Sequence, residues 1–207
     1  MTQTAEYEIV LHLDAPREQV YAAWTTPGRF ARWFGPRIFT TPADRVALDV
    51  RPGGAWQATL VGDEGFEVTL QGAYREVAGP GRLVFTTGDP DNPGDAPASV
   101  VTLTLDEGEG GGTTMRFHQF GVNTDQEHAE QARAGWLEFF ERLAEHLAVQ
   151  AASSQGASSQ AASSQAASSQ AASSQAMSSQ AASSQRVSSQ ADASPATSSK
   201  VSSQPAA

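Results

Sequence analysis

The sequence predicts an α+β domain, in which a curved antiparallel sheet of six to seven strands wraps on one long C-terminal helix, with two short helices after the first strand. Three observations predict it. From residue 38 to 120 the hydrophobic pattern has a period of two and is cut by a turn signal about every ten residues. From about residue 124 to 148 the apolar residues change to helical spacing. Between residues 24 and 36, directly after a short amphipathic run, stand two Trp, two Phe and two Pro. Aromatic and Pro residues at that density belong over an apolar interior.

Each element has its own local signal. Residues 6–13 are rich in β-formers and partly alternate, so they read as a first strand. Asp14 followed by Pro16 signals a helix start, with Asp14 as N-cap and Pro16 in the first turn. This helix runs to about Ala23 and turns Val20, and Tyr21 or Trp24, inward. Pro27 opens a second short helix that ends before the breaker Gly35-Pro36. Ile38–Val50 reads as a strand with breaks, and Ala55–Val61, Phe66–Val77, Arg82–Thr87, Ser99–Leu105 and Thr113–Phe120 as the rest of a meander. The turns are Arg51–Gly54, Gly62–Gly65, Gly79–Gly81, a long polar loop Gly88–Ala98 and an acidic hairpin loop Asp106–Gly112. Gly72 inside a strand marks a bulge or bend that helps the sheet curl. Thr124-Asp-Gln-Glu127 has the spacing of a capping box, with Thr124 as N-cap. Ala129, Ala132, Trp136, Phe139, Phe140, Leu143 and Leu147 follow on one helical face. A curved sheet with one apolar face needs a cover, and only this last helix is long enough to supply it.

Composition divides the chain near residue 149. All four Trp, nine Phe and three Tyr precede that point, and Ala, Ser and Gln make up nearly everything after it. The expected organisation is one domain over 1–149 and a disordered low-complexity tail over 150–207, since the tail has too little apolar area to offset chain entropy. Residues 151–190 form eight pentads of the type Ala-Ala-Ser-Ser-Gln. At roughly 100° per residue a five-residue repeat returns to no single helical face, so no amphipathic stripe results. Residues 1–149 carry 22 Asp and Glu against 11 Arg and no Lys, and the whole chain has a net charge of −10. That acidity repels phosphate backbones, which excludes nucleic acid as a partner, and no basic helix directs the chain to a membrane surface. The chain has no Cys, so disulfides and thiol chemistry are excluded. Its N-terminus lacks a basic region followed by an apolar run, and a cytoplasmic protein is expected.

Five motifs in order then point to a known family. The run Trp24-Thr-Thr-Pro27 with Trp33-Phe-Gly-Pro36, then Arg51-Pro-Gly-Gly54, Gly72-Ala-Tyr74-Arg-Glu-Val77, Gly112-Thr-Thr-Met115 and Gly135-Trp136 resembles the activator of heat-shock protein 90 ATPase homologue-like family. That family lies in the START-like (SRPBCC, Bet v-type) helix-grip superfamily, and the resemblance covers residues 6–148. It implies a helix-grip fold whose sheet and long helix enclose an apolar cavity for lipids, polyketides or other hydrophobic molecules. It also implies monomers or homodimers.

On that resemblance the cavity is lined by Trp24 and Trp33 from the short helices, by Trp56, Phe66, Tyr74, Phe85 and Phe117 from the strands, and by Trp136 and Phe140 from the closing helix. Alternation puts Met115, Phe117 and Gln119 on one face of the last strand, and the resemblance turns that face inward, which makes Gln119 the leading polar contact for a ligand oxygen. Gln57 and Tyr74 are weaker candidates for the same role. The four His show no metal-ligand spacing, so neither a metal nor another cofactor is expected. Glu67 and Glu76 stand at odd separation in one strand, so they face opposite sides and cannot both be buried. With no carboxylate pair, nucleophile motif or dinucleotide fingerprint, the expected function is non-catalytic binding of a small hydrophobic molecule. The alternatives are a cyclase or hydrolase using the same cavity, and a co-chaperone-like module with a chaperone partner.

Overall fold

The computed structural model describes residues 3–89, 91 and 98–154. Residues 155–207 of the tail and most of the Gly88–Ala98 loop lie outside the described residues, whereas residues 150–154, expected in the disordered tail, continue the last helix. Residues Met1–Ser154 form one compact unit.

The strands are β1 (Thr4–Leu13), β2 (Phe39–Thr40), β3 (Val46–Leu48), β4 (Ala55–Gly62), β5 (Glu67–Ala78), β6 (Arg82–Thr87), β7 (Ala98–Glu107) and β8 (Thr113–Val122). They form one antiparallel sheet in the order β1-β8-β7-β6-β5-β4-β2, with β3 also pairing to β4. The helices α1 (Arg17–Thr25) and α2 (Pro27–Trp33) follow β1, and α3 spans residues 126–154. The predicted architecture therefore stands, with eight strands rather than six or seven. The difference lies in Ile38–Val50. Pro42 interrupts that run, and a 3₁₀ turn at Ala43–Arg45 separates two very short strands. Proline has no N–H for a sheet ladder, so a continuous strand cannot pass through it.

Both predicted helix caps fall elsewhere. Pro16 occupies the N-cap position of α1, and its carbonyl accepts from the N–H of Gln19 at 2.9 Å, while Asp14 makes no cap. At α3 the cap is Asp125, whose carboxylate accepts from the backbone N–H of His128 at 2.9 Å. Thr124 donates back to the carbonyl of Val122 instead. Asp and Thr compete for the same role, and the helix begins one residue later than the capping-box spacing assumes.

A bulge in β5 shapes the sheet and corrects a second expectation. The register with β6 shifts between Tyr74 and Glu76. Arg75 and Glu76 then both face outward, and the alternation of the rest of the strand changes phase. Glu67 and Glu76 accordingly share the outer face, ion-paired to Arg45 and Arg82. Gly72 is not the bulge. A Cβ there would sit 1.8 Å from the carbonyl oxygen of Thr86 and 2.8 Å from the indole nitrogen of Trp56. It is Gly because β4, β5 and β6 approach each other over it.

The core lies on the inner face of the sheet, under α1, α2 and α3. Ile9 and Leu13 from β1, Leu103 and Leu105 from β7, and Met115 and Phe117 from β8 are buried there with Leu143 and Leu147 of α3. Ring contacts bind α3 to this face. Phe117 stands 4.6 Å from Trp136 and 5.2 Å from Phe140, between ring centroids. From the other side, Phe34 stands 5.2 Å from Phe139.

Candidate functional site

Trp24 is the centre of the interior. It stands at the end of α1, where Val20, Ala23 and Trp24 form the buried face of the helix. Its ring contacts six others: Phe30 and Trp33 from α2, Phe85 and Phe117 from the sheet, and Trp136 and Phe140 from α3. The centroid distances run from 4.7 Å to Trp33 to 6.4 Å to Phe30. These are the edge-on and offset arrangements that aromatic quadrupoles favour, each contributing about 0.5–1.5 kcal/mol beyond burial.

The rings fill the space rather than line it. Between sheet and helices remains a void of about 10 Å³, bordered by Trp24, Phe30, Trp56, Tyr74, Leu83 and Phe85. That is room for about one water molecule. Of the predicted lining residues, Trp24, Trp56, Tyr74 and Phe85 border the void. Trp33, Phe117, Trp136 and Phe140 pack around Trp24 without bordering it. Phe66 lies elsewhere: it is 63 % exposed beside the β4–β5 turn, with its ring on Phe39. A turn residue whose neighbours are Asp63, Glu64 and Gly65 has no interior to enter. Gln57 is exposed on the outer face because Trp56 takes the inward position next to it.

Three of the four indoles are hydrogen-bonded. Trp33 donates to the carbonyl of Ala23 at 3.0 Å, Trp56 to the carbonyl of Thr86 at 2.8 Å, and Trp136 to Oε1 of Gln119 at 2.8 Å. Trp24 is 2 % exposed, and its Nε1 has no partner among the described residues. A buried donor left unpaired costs about 1–3 kcal/mol. No polar side chain near it answers that N–H.

Gln119 has a different role from the one expected of it. Its Oε1 accepts from Trp136 and, at 2.8 Å, from the hydroxyl of Tyr7. Its Nε2 donates to Oγ of Ser99 at 2.8 Å. An indole N–H can only donate, so the amide orientation is fixed. Gln119 ties β1, β7, β8 and α3 together at one end of the interior. Burial drives the phenol of Tyr7 well above its ordinary range, against the opposing pull of Arg133. The phenol of Tyr74 is raised in the same way, by burial first and then by Tyr21. Both hydroxyls stay protonated, and that of Tyr7 is the donor to Gln119.

Among the described residues the buried polar side chains are Thr41, Thr59, Thr86, Ser99 and Thr113, with no buried carboxylate or histidine. Among the described residues there is no group of three or more His, Asp or Glu able to hold a metal ion, and no helix long and apolar enough to cross a membrane. The expected cavity lining left out Phe30, Phe34 and Phe139, although the first two lie in the aromatic segment 24–36 and Phe139 on the apolar face of the closing helix. Phe30 and Phe34 share the spacing i, i+4 within the aromatic segment 24–36, the signal by which they were legible.

An antiparallel sheet closed by a long helix over an apolar, aromatic interior defines a START-like domain of the ligand-binding or regulatory class. The chain belongs to the family of Activator of Hsp90 ATPase homolog 1-like proteins, whose pattern matches residues 14–148. Solved structures agree. One is a protein from Chromobacterium violaceum, 26% identical with a TM-score of 0.59, the match covering 69% of this chain and 96% of that one. An AHSA1 protein from Silicibacter pomeroyi is 24% identical at a TM-score of 0.57, with 70% and 99% covered. An AHSA1-like protein from Aeromonas hydrophila is 21% identical at 0.58, with 71% and 94% covered. No curated protein matches the chain.

Proposed function

We propose that this domain binds a small, mainly apolar molecule carrying one hydrogen-bond acceptor, held between the sheet and α3, without carrying out a reaction on it. The observation that carries the reading is the unpartnered N–H of Trp24 in an interior where every other indole is satisfied. An acceptor brought there by a ligand removes the cost of that N–H, and the surrounding rings supply apolar contact. The void of about 10 Å³ is far below the roughly 300 Å³ of a small-molecule pocket. Binding therefore requires α3 to part from the sheet and the rings around Trp24 to change rotamer. The ligand's apolar burial must exceed that opening cost, so the reading favours a ligand with a substantial apolar body and a single polar end.

Native mass spectrometry of the protein purified from its natural host tests this. The expected result is a retained mass of a few hundred daltons, on the order of a drug-sized ligand, released by denaturation. Empty protein, together with an unchanged melting temperature across a panel of lipids and polyketides, contradicts it.

A further inference from the structure

On the other side of α2 the molecule has a second concave region, and its chemistry is opposite to that of the core. A groove of about 720 Å³ runs between α2 and the C-terminal half of α3. Its walls carry Arg29 and Arg32 from α2, and Arg142 and His146 from α3, with Val149 and Ser153 at its far end. The folded part of this chain is strongly acidic, and seven of its 11 arginines have a carboxylate within 4.0 Å. Four have none among the described residues: Arg29, Arg32, Arg133 and Arg142. Three of those four meet in this one groove.

The one carboxylate at the groove, Glu145, is already engaged. It accepts two hydrogen bonds from the guanidinium of Arg37, at 2.6 and 3.3 Å. Arg142 is held in place by carbonyls, donating to Gly35 at 2.6 Å and to Pro36 at 3.2 Å, where the chain leaves α2. Its charge is thereby fixed at the groove wall, and Glu138 and Glu145 act on it only from beyond ion-pair contact. In a folded part with 22 acidic side chains against 11 arginines, three arginines gathered without a carboxylate in ion-pair contact favour the approach of negative charge. We propose that this groove binds a small molecule bearing a phosphate or a carboxylate, with Arg29 and Arg32 as the direct ligands and Arg142 as a fixed supporting charge. Arg29 and Arg32 stand three residues apart on one helix, so their guanidinium groups reach the same anion from one side.

His146 reports on the site. Burial first, and then the positive charges of Arg29 and Arg32, hold its imidazole below the ordinary value of 6.5. In the neutral form its Nε2 accepts from the amide of Gln150 at 2.8 Å. The charged groups facing it are Arg29 and Arg32 from α2 and Arg142 and Glu145 from α3. An anion between the arginines cancels the repulsion and favours the imidazolium, so occupancy raises the protonated fraction of His146. Linkage makes the converse hold, and the anion binds more tightly as pH falls.

The experiment uses the full chain with labelled histidine, its His146 signal assigned by its loss in His146→Gln. Near pH 6.5 the protein is titrated with inorganic phosphate, with succinate and with sodium chloride at matched ionic strength. The proposal expects a saturable rise in the protonated fraction of His146 with phosphate or succinate, equivalent to an upward shift of roughly half a pH unit, and none beyond the ionic-strength effect with chloride. Saturation by phosphate alone assigns a phosphate ligand, and by succinate alone a carboxylate ligand. The double variant Arg29→Gln/Arg32→Gln should weaken that binding at least about tenfold, with an unchanged melting temperature. Arg133→Gln, the unpaired arginine outside the groove, should bind as the parent does. Identical responses of His146 to all three salts overturn the proposal, as does saturation by a polyglutamate peptide with neither small anion binding.

Discussion

The seven-residue helix α2 has two faces that follow opposite rules. Its inner face contributes Phe30, Ala31 and Trp33, all buried, to an interior where rings touch on every side. Its outer face contributes Arg29 and Arg32 to an open groove, and among the described residues no carboxylate lies in ion-pair contact with either. On the inner face apolar area is removed from water and nearly every polar atom is satisfied, which is what stability requires. On the outer face charge is left unanswered, which contributes nothing to stability. The lesson is that contact density marks what holds the fold, whereas unsatisfied groups mark where a ligand has something to gain. One such feature lies on each side of α2: the N–H of Trp24, from α1, inside and the arginine cluster outside.

Substitution separates these roles. The largest effect belongs to Trp24→Ala, which removes a ring in contact with six others. It should lower stability by about 3–5 kcal/mol, less whatever the lost unpaired N–H returns, read by urea denaturation. A loss below about 1 kcal/mol would break the claim that the core is filled rather than hollow. Gln119→Leu comes next. It leaves the indole of Trp136 and the hydroxyl of Tyr7 without their acceptor, in partly buried positions, at a cost of about 1–3 kcal/mol. The same denaturation series measures it, and a neutral result would show that water replaces the amide.

Much of the fold was legible in the sequence because each of its signals is local. Turn residues between period-two runs specify a meander, and the spacing from Ala129 to Leu147 specifies a covering helix. The misplaced caps at Asp14 and Thr124 are one- or two-residue errors of the kind that competing cap residues produce. Parity failed for Glu67 and Glu76 because a single bulge residue reverses every later position, and bulges have no firm sequence mark. Phe66 was misjudged since hydrophobicity says nothing about whether a residue stands in a strand or at its turn.

The site was less legible than the fold. Sequence identifies aromatic residues that face inward, but whether they line a cavity or fill it depends on sheet curvature and helix distance to within an ångström or two. Gln119 was recognised as inward-facing and polar, yet its partners Tyr7, Ser99 and Trp136 come from three other elements. The groove was invisible for the same reason. Arg29 and Arg32 are more than a hundred residues from Arg142 and His146, and nothing in the chain's overall acidity indicates that its unpaired arginines converge.

The central claim concerns one hydrogen atom, the indole proton of Trp24, and it is observable. The four indole N–H signals of the labelled protein can be followed during titration with apolar ligands supplied in pairs, with and without a carbonyl group. The account predicts that the carbonyl-bearing member moves the Trp24 signal downfield and slows its exchange with solvent, while the bonded indoles of Trp33, Trp56 and Trp136 keep their donors engaged. Saturable binding of both members with the Trp24 proton unmoved would contradict it.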